Sequence, residues 1–227
     1  MQRTPTSDGR AEYRNVVLSS TSDGSLRTFR DELELVSLER GQVLSEPSRI
    51  PDYVYFPEGG IISLSVEMSG RNIDAGMIGR EGISSYSALR KGRFPDALST
   101  VQVGGAAAYR IPADRFRHAV ERCPDLYDAI HDALYGLMGQ IALTAAFNAR
   151  HLLATRVARW LLLCAERLDG RTIPVTHDFL ARVLGVQRTS VTTMLHLIEG
   201  QNAIKSRRGA VVIVDRHRLR RLAGEVV

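Results

Sequence analysis

"THDFLARVLGVQRTSVTTML", residues 176–195, carries two apolar faces of helical period on either side of one glycine. Phe179, Leu180, Val183 and Leu184 give the first segment its inner face, and Ala181 is small enough for a neighbour to approach closely. Gly185 permits the left-handed backbone of a tight turn. Val191, Met194, Leu195 and Ile198, at i, i+3, i+4 and i+7, form the inner face of the second segment. Two short helices are therefore predicted, with Arg188, Thr189, Ser190, Thr192, Thr193 and His196 left outside.

Downstream, "AIKS" (203–206) and "AVVIVD" (210–215) read as strands joined at Arg207-Arg208-Gly209, with Asp215 capping a final basic helix. Upstream, a helix from about Thr155 to Leu168 buries Val157, Trp160, Leu161, Cys164 and Leu168, and Gly170 is placed to end it. Helix, turn, helix and basic hairpin make a winged helix-turn-helix. Its second helix, 187–199, can lie in the DNA major groove with its first residues against base edges. Hydroxyls, backbone amides and arginines around it would hold phosphates. Arg188 suits two parallel bonds to guanine O6 and N7, while Thr176, His177 and Gln187 flank the motif and Arg207 and Arg208 sit on the wing.

The charge distribution points the same way. Residues 171–227 hold ten Lys and Arg against four Asp and Glu, whereas residues 1–170 hold 20 against 21. Basicity confined to one folded module suggests a polyanion partner, double-stranded DNA.

The front of the chain reads differently. Residues 1–14 begin polar and are expected to be a disordered tail, with a short helical stretch near Ser25–Glu32. From Leu33 to about Ile111, short alternating runs such as "GIISLSVEM" and "NIDAGMI" are punctuated by Gly and Pro. That pattern predicts an antiparallel sandwich or barrel over residues 15–122. Ala113–Arg122 reads as a helix, and Pro124 as the first-turn residue of a longer one. Along 123–152, Ile130, Leu134, Leu137, Ile141, Thr144 and Asn148 recur at four, three, four, three and four. A seam of period 3.5 fits either packing on the chain's own sheet or a parallel two-helix dimer whose register the asparagine fixes. The dimer is the expectation taken from it.

Several function classes are disfavoured. No apolar run approaches the roughly 18 residues of a membrane span, and the first residues lack the apolar core of a signal peptide, so a cytoplasmic location without membrane contact is expected. Cys123 and Cys164 are too few for a disulfide scaffold or a four-cysteine cluster and fit small core residues. An enzyme or metal protein on the β-domain would need metal-ligating histidines on strands, and no His or Cys precedes His118. Carboxylates Glu58, Glu67, Asp74 and Glu81 show no paired spacing, so no catalytic residues, metal site or cofactor are expected. A ligand-binding scaffold that never touches DNA would leave the basic wing unexplained.

The segments "VYFPEGGIISL" (54–64), "GMIGREGI" (76–83), "RVARWLLLCAERLDG" (156–170) and "IPVTHDFLARVLGVQRTSVTTMLHLIEGQNAI" (173–204) give the chain its family likeness. From about Leu33 to Leu222 it resembles a Crp/Fnr-type transcriptional regulator. The resemblance implies an α+β protein: an N-terminal antiparallel β-roll of the cyclic-nucleotide-binding, jelly-roll-like type, a long dimerisation helix (123–152) and a C-terminal winged helix-turn-helix (153–227). It implies a homodimer on a pseudo-palindromic operator, with RNA polymerase as a further partner. By position, Arg188 matches the family's guanine-reading arginine. Thr189 and Thr193 stand where the cyclic-AMP-binding type has an acidic base reader and a second arginine, so the half-site should differ. In the effector pocket, Ser85 and Tyr86 stand at the Gly-Glu pair that holds the ribose, and Asp96 near the phosphate-neutralising arginine. Arg90, Lys91 and Arg93 lie close by in sequence. Cyclic AMP is therefore not the expected effector, and with two cysteines an iron-sulfur cluster is not expected either.

Overall fold

The computed structural model describes residues 13–68, 70–89 and 97–224. Most of the expected tail, residues 1–12, lies outside that range. Tyr13 and Arg14 differ from the tail expectation. The Tyr13 ring meets Tyr109 edge-on, and Glu58 accepts from the amides of Arg14 and Asn15. Two short helices follow, α1 (Val16–Ser20) and α2 (Asp23–Leu26), with a 3-10 turn at Arg30–Glu32.

The N-terminal domain is built from β1 (Glu34–Leu38), β2 (Val43–Ser45), β3 (Tyr53–Pro57), β4 (Ile61–Met68), β5 (Arg71–Ile78), β6 (Ala97–Val103) and β7 (Ala106–Pro112). They pair antiparallel into two sheets, β1-β7-β3 and β2-β6-β4-β5. Alternation along each strand turns Leu38, Leu44, Tyr55, Ile62, Ile78 and Val101 into one interior core, closed by Leu137 from the long helix. The alternating runs "GIISLSVEM" and "NIDAGMI" form β4 and β5, and all seven strands fall close to the span from Leu33 to Ile111 in which alternation was expected.

Helix α3 (Ala113–Arg122) leads into α4 (Pro124–Arg150), whose first turn carries Pro124. At Asp125, hydrogen bonds from the Ser22 amide and the Ser25 hydroxyl hold the carboxyl well below its usual range and tie α2 to α4. His151 and Leu152 break the helix in extended conformation, and α5 (Leu153–Arg167) begins the C-terminal domain. There follow β8 (Thr172–Ile173), α6 (His177–Leu184), α7 (Arg188–Gly200), β9 (Ile204–Arg207), β10 (Ala210–Ile213) and α8 (Arg216–Leu222). Strand β8 extends the expected hairpin to three strands, ordered β8-β10-β9. Val157, Trp160, Leu161, Leu180, Val191, Leu195, Ile198, Val211 and Leu219 form the core of this domain, which runs on into Ile61 and Met77 of the roll.

Part of the expected dimer seam packs on the chain's own roll, while Asn148 at its end is exposed. Ile130 is fully buried and Leu137 nearly so against their own chain, and Leu134, Ile141 and Thr144 are half-buried. Gly76 of β5 lies so close to α4 that a Cβ there would meet Ile141 and Leu137 at 3.1 and 3.3 Å. The Gln140 amide stitches the same face to β5, accepting from the Met77 amide at 2.9 Å and donating to its carbonyl at 3.0 Å. Asn148, the expected register residue, accepts from Arg156 Nε at 2.8 Å within the chain. The row one residue further on, His131, Tyr135, Met138, Ala142, Ala145 and Ala149, keeps the same spacing, and all but the half-buried His131 are exposed. Tyr135 is 69% and Met138 56% exposed. An apolar face more than one row wide has two stripes of period 3.5, and periodicity alone does not say which of them the sheet covers.

Candidate nucleic-acid interface

The interface begins with local geometry. The Thr176 side chain caps α6 by accepting from the Phe179 amide, and Gly185 ends it at φ 66°, in the left-handed region. This turn sets α7 across α6. His177 Nδ1 and Thr192 Oγ1 lie 2.8 Å apart, so the start of α6 is pinned to the second turn of α7. Asp215 caps α8 from the Arg218 amide, and Gly209, at φ 73°, closes the β9-β10 turn.

Thr176, Gln187, Arg188, Thr189, Thr193, His196, Arg207 and Arg208 are exposed, while His177, Ser190 and Thr192 are half-buried. The hydroxyls of Thr192 and Thr193 donate to the carbonyls of Arg188 and Thr189, both at 3.1 Å. Thr193 therefore presents a methyl group and an acceptor oxygen outward with its donor already engaged, whereas the Thr192 oxygen is taken up by His177. Arg188 Nε stands 3.6 Å from Asp178 Oδ1, a pair in which both side chains are largely exposed. Sequence reasoning missed Asp178, although its place three residues into the quoted stretch puts it in the first turn of the preceding helix. His196 lies 3.9 Å from Glu199, whose other oxygen accepts from the Ser206 amide and so anchors the wing to α7.

Two charged clamps fix this domain against the roll. Asp169 pairs with both Arg14 and Arg80, which together hold its carboxyl below the usual range. Arg167 Nη2 meets Glu81 Oε1 at 2.7 Å with only 9% of its own side chain exposed. Between the turn at Gly185–Gln187 and the outer face of β4 and β6 runs a cleft lined by Ser63, Ser65, Thr100 and Gln102 together with Ile73, Leu98 and Val186. Gln187 thus faces the roll as well as solvent. Asp74, at the edge of this cleft, is mostly buried, and that burial raises its carboxyl above the ordinary value against the opposing pull of Ser63 and Arg182.

Of the expected effector residues, Ser85 and Tyr86 fall within the described residues. Ser85 is buried in a hydroxyl network with Ser84, which accepts from the Tyr55 amide. Tyr86 instead lines a cavity between β5, α4 and α5. Arg90, Lys91, Arg93 and Asp96 lie outside the described residues. Glu58 and Glu67 accept backbone amides, and Glu81 is held by Arg167 and Gly79. Among the described residues no group of three His, Cys, Asp or Glu is placed to hold a metal, and no helix is long and apolar enough to cross a membrane.

Comparison with known proteins agrees with this architecture. Residues 155–222 match the Crp-like helix-turn-helix domain family. No curated protein matches the chain in sequence. A CRP/FNR-family transcriptional regulator from Thermus thermophilus superposes with a TM-score of 0.68 at 21% identity, covering 85% of this chain and 99% of its own. FixK2 from Bradyrhizobium japonicum gives 0.69 at 16% identity, covering 86% and 98%. The c-di-GMP responsive global regulator CLP from Xanthomonas campestris gives 0.65 at 16% identity, covering 85% and 99%. This chain therefore has the fold of the Crp/Fnr transcriptional regulators and carries, at residues 155–222, a Crp-like helix-turn-helix domain.

Proposed function

We propose that this protein is a sequence-specific transcriptional regulator that binds a pseudo-palindromic operator as a homodimer, and that it is neither an enzyme nor a metalloprotein. The observation that carries the reading is the exposed row Gln187, Arg188, Thr189, Thr193 and His196 on α7, flanked by Thr176 and the wing arginines Arg207 and Arg208. Of these, Arg188 is the base reader. Thr176, Gln187, Arg207 and Arg208 meet phosphates, while Thr189 and Thr193 offer oxygens and methyl groups to base edges. Ser190 sits at the margin of this surface, and His177 and Thr192 hold its geometry. Dimerisation runs through His131, Tyr135, Met138, Ala142, Ala145 and Ala149 of α4, not through the row that faces β5. A two-fold axis along α4 presents the two recognition helices to successive major grooves. Such a protein works in the cytoplasm, with RNA polymerase as its neighbour at the promoter.

Footprinting on genomic fragments tests this. Two protected half-sites related by a dyad are expected, with affinity falling steeply as salt rises, because each subunit releases counterions from several phosphates. A single half-site footprint at every protein concentration would remove the dimer.

DNA binding is expected not to require cyclic AMP. The roll interior is filled by Leu38, Leu44, Tyr55, Ile62, Ile78 and Val101, and Ser85 is engaged with Ser84. By resemblance Asp96 stands near the place of the family's phosphate-neutralising arginine, and a buried cyclic phosphate without a cation costs several kcal/mol. Calorimetry with cyclic AMP and cyclic GMP, beside operator binding with and without each, decides the matter. A rise in operator affinity of about tenfold or more, some 1.4 kcal/mol of coupling, would refute it.

A further inference from the structure

A cavity of about 390 Å³ opens where three parts of the molecule meet: the end of β5 and its following loop, the middle of α4, and α5 of the DNA-binding domain. Most of its wall is apolar, with Ile78, Leu137 and Leu163 among the lining side chains. Against that wall stand three polar groups whose hydrogen-bonding capacity is incomplete. Arg167 is nine-tenths buried and gives Nη1 to the Leu163 carbonyl and Nη2 to Glu81, yet its Nε is buried with no partner. Arg159 Nε is likewise buried and unpartnered, its guanidinium lying 4.6 Å over the Phe147 ring. Among the described residues no carboxylate pairs with Arg159. The Tyr86 hydroxyl is the third: its oxygen takes the Ile83 amide, and its proton is buried without an acceptor.

Leaving a buried donor unpaired costs about as much as a lost hydrogen bond, and three such groups beside one cavity are unusual. Burial raises the Tyr86 phenol well above its ordinary range, so at neutral pH it remains a donor. The unspent capacity is therefore all of one kind: N–H and O–H groups awaiting an acceptor. Charge narrows the class further. Glu81 neutralises one arginine and leaves a single net positive charge, which suits a monoanion better than a doubly charged phosphate. Gln140 is held to β5 by Met77 at both ends of its amide, and it carries no charge.

We propose that this cavity binds a small monocarboxylic acid with an apolar body, its carboxylate between Arg159 and Arg167 and its hydrocarbon against Leu137 and Leu163. Charge-assisted bonds to the two guanidinium groups would satisfy the orphan donors. The site draws Glu81 and Tyr86 from the roll, Leu137 from α4 and both arginines from α5, so an occupant ties the DNA-binding domain to the other two. An effect on DNA affinity rests on the function proposed above. Binding itself does not.

The test is isothermal calorimetry on the full chain with 3-phenylpropionate and octanoate as probes, with 3-phenylpropionamide as the uncharged control. A Kd of about 1 mM or tighter is expected for at least one acid, with the amide at least about tenfold weaker. Two variants locate the site. Arg159→Gln removes the unpaired charge and should weaken the acid by about tenfold or more. Gly136→Leu puts a side chain into the cavity and should abolish binding. A Cβ at Gly136 meets nothing within 4 Å, and leucine is the better helix former, so this variant keeps the fold, as circular dichroism would show. No heat from either acid up to about 10 mM, equal binding of acid and amide, or undiminished binding to Gly136→Leu would each overturn the proposal. None of these measurements involves DNA, so they stand apart from the regulator reading.

Discussion

Charging the outward row of α4, as in Met138→Glu combined with Ala142→Glu, is expected to yield a folded monomer whose operator affinity falls by a factor of about 100 or more. The loss is that large because a second half-site bound through a shared dimer adds a factor of about 10² to 10⁴ over one half-site alone. Both side chains point away from the chain's own core, Met138 at 56% exposure, so the substitutions leave the monomer's packing intact. In a two-helix interface they would bring like charges together in a place that water leaves. The row facing β5 gives the contrasting result. Leu137 is buried in the roll's core, so Leu137→Ala should lower the unfolding free energy by about 2 to 5 kcal/mol while leaving the association of the folded protein unchanged. Sedimentation equilibrium and thermal unfolding on both variants separate the two faces. If the charged variant sediments as a dimer, or if Leu137→Ala gives a stable monomer, the assignment of faces is reversed.

That pair of rows shows where the sequence was legible and where it was not. The helix-turn-helix was readable because its apolar positions, its glycine and its caps are local: Thr176, Gly185 and Asp215 each act within four residues of themselves. Strands β1 and β3 to β7 were readable from alternation for the same reason. Strand β2 was too short to alternate, and β8 spans two residues whose partners on β10 lie about forty positions away. The choice between neighbouring rows of α4 depends on where Gly76 and Met77 of β5 dock, a tertiary fact that no spacing encodes. The Arg167–Glu81 and Asp169–Arg14–Arg80 clamps were illegible likewise, since each joins residues dozens of positions apart. The candidate base-reading row on α7 was visible in outline. What the sequence concealed is that Thr192 and Thr193 turn their hydroxyl protons inward and that Asp178 engages Arg188.

Arg188→Ala should reduce affinity for the specific operator by about 1 to 3 kcal/mol, some 5- to 150-fold, and relax the preference at one guanine per half-site. The competing partner in the free protein is weak. Asp178 and Arg188 are 62% and 67% exposed and 3.6 Å apart, and an exposed pair of that kind contributes at most about 1 kcal/mol. Two parallel bonds to guanine exceed that, so the arginine leaves Asp178 when the groove arrives. It follows that Asp178→Asn should raise affinity for all DNA a few-fold, because it frees the arginine and removes a negative charge that faces the phosphates. On the wing, Arg207→Ala and Arg208→Ala should weaken specific and random sequences alike and each reduce the salt slope by about one. The double variant Asp178→Asn with Arg188→Ala tests the coupling: the gain from Asp178→Asn should shrink when Arg188 is absent, since part of that gain is the arginine's release. Binding titrations against the operator, a guanine-substituted operator and random DNA supply every term. Equal losses on all three for Arg188→Ala would make it a phosphate contact, and the base reader would then have to be sought among Thr189, Thr193 and His196.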